Sequence, residues 1–347
     1  MATESVGFVI KEGVLTQRGN CTDTEIVIPE GITRIGKNAF LGAKNITSVT
    51  IPESVREIGA GAFFDCKGLT SITIPGSVEV IEKFAFAGCK GLANAVIGDG
   101  VKHIGQHVFS MCKNLKSVQI AGTVELIGEY AFAYCVSLED LVLAEGVKEI
   151  ANQAFLRCKR LKSVTIPSSM ERVGEYAFSG CKSLASLTIC EGVKHIGTSA
   201  FGQCAKLESV TIPSGVERVG DFAFSSCKNL ASVTICDGVK EIAEQAFGRC
   251  KKLACVTIRG SVETIKDAEF TDCKNLESLT IGEGVKCIES GAFRKCNLLT
   301  SVTIPGSIEK LADFAFDACA NLESVTICNG ATGISKTAIF RCKKLKR

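Results

Sequence analysis

The chain has 347 residues, of which 46% are hydrophobic but only 6% aromatic, with nineteen cysteines and no tryptophan. Its formal net charge of +3 is too small to steer it toward nucleic acid or an anionic membrane surface. Apolar content is ample for a continuous core, yet no run approaches the ~18 apolar residues of a membrane helix, so no membrane insertion is expected.

The opening Met1-Ala2-Thr3-Glu4-Ser5-Val6 lacks a basic segment followed by an apolar stretch, so no signal peptide is expected there. Together with the many cysteines, read as unpaired, this favours the cytoplasm; the cell surface stays open if a leader has been removed.

From residue 25 one period governs the chain. Phe recurs every 23 residues from Phe40 and Phe63 through Phe316, and Ile339 takes the next beat. A leucine column runs from Leu69 to Leu345, and an isoleucine column begins at Ile51, Ile74 and Ile97. Each coil reads A-F-x-x-C-x-x-L-x-S-V-T-I-x-x-x-V-x-x-I-x-x-x. The segment L-x-S-V-T-I alternates apolar and polar residues and is rich in β-branched ones, which predicts a half-buried strand. All six prolines fall in one column directly after it. Such a coil cannot bury its own Phe, Leu, Val and Ile. Stacking about thirteen of them in parallel register does so.

A second period of 46 lies inside the first. Coils reading V-E carry an aromatic two residues before the Phe, at Phe84, Tyr130, Tyr176, Phe222 and Phe314, and alternate with coils reading G-V-K. The residue after the Val therefore alternates in sign without error over twelve positions, from Arg56 and Glu79 to Lys286 and Glu309. Each interior charge is expected to meet opposite charges on both sides, and a coil out of phase to meet like charge.

Departures from the repeat mark a candidate contact surface. Asn94, Val96, Gln119, Asp140 and Val142 replace the usual outward Ser and Thr on three successive coils, with Lys116 and Glu139 beside them. A row of lysines after the cysteine column, from Lys67 to Lys343, reads as a solubilising face. After Cys342-Lys343-Lys344-Leu345-Lys346-Arg347 no polar cap is legible, which raises end-to-end self-association through the last coil.

Chemistry is harder to find. Thirteen cysteines form one column three residues after each Phe, from Cys66 to Cys342, and are read as reduced, inward-packing thiols. With no C-x-x-C pair a zinc site is not expected, and His103, His107 and His195 are read as solvated. There is no phosphate loop, dinucleotide fingerprint or nucleophile elbow. Neither an enzyme nor a bound cofactor or metal is expected.

The pattern C-x-x-L-x-S-V-T-I-P-x-x-V-x-x-I-G-x-x-A-F resembles the BspA-like (treponemal-type) leucine-rich repeats, over residues 25–345. The resemblance implies a solenoid of the α/β-type leucine-rich repeat class, mostly β and curved. Residues 1–24 form its N-terminal cap, in which Gly7 to Leu15 resembles the hairpin that opens such arrays, and residues 25–347 form the solenoid. It implies a binding or adhesion protein with no shared chemistry. A protein-binding scaffold is the leading expectation, with partners not identified, and a cell-surface adhesion or spacer protein is the alternative.

Overall fold

A computed structural model describes residues 3–5 and 7–345. Among them there is no helix: every coil consists of two short strands joined by tight turns. The longer strand occupies the predicted S-V-T-I segment, from Glu25–Val27 and Ser48–Thr50 to Ser324–Ile327 in steps of 23 residues. That makes fourteen such strands, one more than the thirteen Phe coils. A second strand of only two residues, such as Glu57–Ile58 or Arg218–Val219, follows in each coil up to Lys310–Leu311 and pairs in parallel with its equivalents; in the last coil only Ile334 bridges to Leu311. Two residues are too few to carry an alternation signal, so the sequence pattern predicted one strand per coil.

The chain divides into two compact units, Met1–Met170 and Glu171–Arg347. The first opens with the antiparallel hairpin Phe8–Lys11 and Val14–Gln17, turned through Glu12 and Gly13, both at positive φ. Strand Val14–Gln17 then pairs in parallel with Arg34–Ile35, so the hairpin covers the end of the short-strand ladder. In this unit the rings of Phe40, Phe63, Phe86, Phe109, Phe132 and Phe155 stack face to face, 4.8–5.2 Å apart. In the second, Phe178 to Phe316 do the same at 5.1–5.5 Å. The strand spacing sets the ring spacing, so a core of one ring per coil packs without voids.

The cysteine column points inward as expected, and its thiols donate to the carbonyl of the Phe 26 residues earlier. The Sγ–H of Cys66 donates to the carbonyl of Phe40 at 3.0 Å, Cys89 to Phe63 at 3.1 Å, and Cys319 to Phe293 at 3.2 Å. Burial raises the pKa of Cys135 and of Cys250 to about 12, so these thiols stay protonated.

The 46-residue period has a backbone cause that the charges do not reveal. Gly100 and Gly146, in G-V-K coils, sit at φ 121° and 115°. A Cβ on Gly146 would lie 1.8 Å from the carbonyl oxygen of Gly122, so only glycine fits. The freed N–H of Gly146 donates to Ser169 Oγ at 2.7 Å, and that hydroxyl donates onward to the carbonyl of Val147 at 3.0 Å. One coil type supplies the glycine and the next the hydroxyl, at Thr123, Ser169, Ser261 and Ser307, which favours alternation; after Gly192 the hydroxyl's place holds Gly215.

The long-strand ladder is interrupted. Asp140–Leu143 ends a four-stranded sheet and is not paired with Ser163–Ile166; Ser186–Ile189 is not paired with Ser209–Ile212, nor Ser278–Ile281 with Ser301–Ile304. In each case the first strand carries Leu at the inward position, Leu141, Leu187 or Leu279, where neighbours carry Val. Those leucines are half-buried, whereas Val118, Val210 and Val302 are at most 3% exposed. Valine branches at Cβ and stays within the strand spacing; leucine branches one atom further out and displaces the next strand. A fourth gap, after Ser48–Thr50, has Val49 at that place, so leucine is sufficient for an opening but not required.

Candidate functional site

The seven candidate residues come from three neighbouring strands, Asn94–Ile97, Ser117–Ile120 and Asp140–Leu143, and the residues before them. Register places Asn94 beside Ser117 and Ser117 beside Asp140, and Val96 beside Gln119 and Gln119 beside Val142. Two parallel rows result on the outward face. Asn94, Gln119, Asp140 and Val142 are exposed and Val96 is half-buried. Val142 is 55% exposed, unusual for valine on a strand. Ser117 Oγ donates to Asn94 Oδ1 at 2.7 Å, which holds the amide and leaves its NH₂ outward.

The flanking charges differ from each other. Glu139 is held by Lys162 at 2.6 Å and Arg160 at 3.6 Å, and the hydrogen bond from Lys162 lowers its pKa. Lys116 is exposed, and no ion pair joins it to another described residue. The surface combines two valine side chains, a free amide, a carboxylate and an ammonium group within three strand widths. That mixture offers shape, hydrogen bonds and charge together, which the surrounding Ser and Thr rows do not. It also lies on the last strand before the ladder opens, where Leu141 and Leu143 are half-buried.

Other expectations resolve differently. The alternating column closes as separate pairs, Lys148–Glu125 at 3.3 Å, Lys240–Glu217 at 3.0 Å and Lys286–Glu263 at 3.0 Å, rather than as an unbroken network. In each pair the lysine turns to the preceding glutamate; one ammonium on a flexible stem satisfies one carboxylate and leaves the next. The lysine row is exposed at Lys90, Lys113 and Lys228, with Lys67 drawn onto Asp65 at 3.0 Å. His107 is not a solvated side chain: it stacks between Phe84 at 4.8 Å and Tyr130 at 4.6 Å, and burial lowers its pKa. At the last coil, Leu311, Val325, Ile327, Ile334 and Leu345 line an apolar recess of about 470 Å³.

One residue escaped the sequence pattern although its signal was present. Glu269 stands in the column where the other coils have Ala or, at Val108, Val, directly before the Phe, and is 0% exposed. Its Oε2 accepts from the Lys266 N–H at 3.0 Å while Oε1 has no partner, and burial raises its pKa well above the ordinary range.

A model of the BspA type leucine rich repeat region matches residues 19–139, 125–254 and 250–347. Among solved structures, a leucine-rich repeat protein from Bacteroides ovatus is 28% identical, with a TM-score of 0.78, over 99% of this chain and 90% of its own. A leucine-rich repeat protein from Eubacterium ventriosum is 23% identical, with a TM-score of 0.51, over 92% and 94%. The pneumococcal vaccine antigen PcpA is 21% identical, with a TM-score of 0.53, over 97% and 90%. The last two likenesses concern the fold alone. No curated protein matches the sequence.

Proposed function

The chain belongs to the BspA-type leucine-rich repeat family, and on that premise we propose that it is a non-catalytic scaffold that binds a protein partner through its sheet face. The observation that carries this reading is the patch on three paired strands, where Asn94, Val96, Gln119, Asp140 and Val142 together break a largely Ser and Thr surface whose other departures are Cys255 and, on the first strand, Glu25 and Val27. Lys116 adds a free charge at its border. Interfaces owe their specificity to such local combinations of apolar and hydrogen-bonding groups, and a Ser/Thr carpet supplies few anchors.

The test uses a variant carrying Asn94→Ser, Gln119→Thr and Asp140→Ser, changes that restore the residues found in neighbouring coils and leave the buried face untouched. Both proteins are immobilised and exposed to the same native lysate. A protein retained by the original and lost at least tenfold from the variant is the expected result. Identical captured sets would remove the patch from consideration and favour the adhesive spacer reading.

A further inference from the structure

The residue two before each Phe leaves the coil at positive φ, between 51° and 69° from Asn38 to Phe314, so within each unit its side chain projects alike from coil to coil. In the first unit this row is a stack: Phe84, His107 and Tyr130 lie nearly parallel, within 7°, one ring per coil. The second unit interrupts the row. Ser199, Gln245, Ala268 and Gly291 carry no ring there; Ala268 stands where other V-E coils have an aromatic, and Gly291 between it and Phe314 has no side chain. The result is a groove of about 520 Å³, bounded by Asp267, Ala268, Gly291, Arg294, Phe314 and Arg341 among others.

Three features make the groove specific. Phe314 closes one end and is 40% exposed, with an edge contact to Phe340. A Cβ placed on Gly291 would meet only Asp267 Oδ1, at 3.2 Å, so the position beside the Phe314 ring is open. At the Phe314 end the buried Asp317 carboxylate is bound by Arg294 Nε at 3.2 Å and by the Nε and Nη2 of Arg341, the former at 2.9 Å. One carboxylate between two guanidiniums leaves an excess positive charge there, with N–H groups to spare. Asp267 borders the open place on the Gly291 side, its Oδ1 3.2 Å from where a Cβ on Gly291 would lie.

We propose that this groove binds a planar aromatic ring bearing a carboxylate. The ring takes the place vacant above Gly291 and stacks on Phe314, as His107 stacks on its two neighbours, and the carboxylate meets Arg294 and Arg341. The site is separate from the sheet-face patch and does not depend on it. The ligand is either a free aromatic acid or the carboxy-terminal aromatic residue of a peptide.

Because the chain has no tryptophan, the fluorescence of indole-3-acetate reports binding without an indole background. Saturable binding with Kd on the order of 0.1–1 mM is expected for a ligand of this size. Gly291→Phe fills the vacant place with the residue found there in other coils, and should weaken binding at least tenfold. Arg294→Gln should weaken it several-fold without filling the groove, and serves if the first variant does not fold. The neutral 3-methylindole should bind at least tenfold more weakly than the acid. A tryptophan-terminated tripeptide binding more tightly than indole-3-acetate would assign the ligand to a chain end; weaker binding would assign it to a small acid. No saturable signal, or unchanged affinity in Gly291→Phe, overturns the proposal, and equal binding of 3-methylindole overturns its carboxylate.

Discussion

Glu269 places a carboxyl group with an unpartnered oxygen in the core. Its neighbours in the same column are alanines at 0% exposure, such as Ala246 and Ala292, so the fold has a place for a methyl group and receives a carboxyl instead. Burial is the dominant cause of its raised pKa, and the nearby Glu289 charge adds to it. Below the ordinary value of 4.5 both the folded and the unfolded carboxyl are protonated, and the residue adds no pH dependence. As pH rises through that value the unfolded chain loses its proton while folded Glu269 keeps it, so stability falls until the folded group ionises as well. Glu269→Ala restores the column and removes this loss. In urea unfolding the variant should gain more at about pH 7.5 than at about pH 4, by roughly 1–3 kcal/mol at the higher value. A gain independent of pH would mean that the carboxyl is not the cause.

A strand in this molecule is stable only through its neighbours, and the leucine coils test that dependence. Asp140–Leu143, Ser186–Ile189 and Ser278–Ile281 each lack a paired strand on their C-terminal side, so the amides of the next strand lose ladder partners. Leu141→Val should bring Ser163–Ile166 into register with Asp140–Leu143. Hydrogen exchange at residues 163–166 should then slow by at least tenfold, a change of about 1.4 kcal/mol in opening free energy. The reverse substitution, Val118→Leu, should open the ladder between Ser117–Ile120 and Asp140–Leu143. Unchanged exchange in both would separate the gaps from the leucines. The candidate patch shares this edge, so closing the gap also tests whether binding needs the opened strand.

Across each unit, stability accumulates from contacts between adjacent coils, with no residue far from its own repeat in space. The thiols report this directly. Cys190, Cys236, Cys255, Cys287, Cys328 and, in the last coil, Cys342 are partly exposed, whereas interior ladder thiols such as Cys112, Cys227 and Cys273 are buried at 0%. An aromatic disulfide reagent should therefore modify about six thiols rapidly in the native protein, and the buried ones only as coils open. Ladder thiols reacting as fast as the exposed ones would mean that the stacked core opens readily at neutral pH. The same stacking explains why the position of the patch matters more than its composition: register, and nothing else, makes neighbours of Asn94, Gln119 and Asp140.

The repeat, its 23-residue step, the inward Phe and Cys columns and the outward strand positions follow from the sequence alone, because stacking identical coils leaves each residue one environment. The candidate patch was legible for the same reason: a departure in a periodic column has a known address. Tertiary structure decided what periodicity cannot encode. The two-residue strands are defined by pairing, not pattern. The glycine and serine bridge behind the 46-residue period is a contact between coils, and the charges chosen alongside it form pairs because a lysine commits to one neighbour. The openings after the leucine strands depend on one atom's reach across the strand spacing. The groove at Gly291 exists only because absent side chains in adjacent coils leave volume beside a ring and two guanidiniums, and volume is a property of the packed molecule.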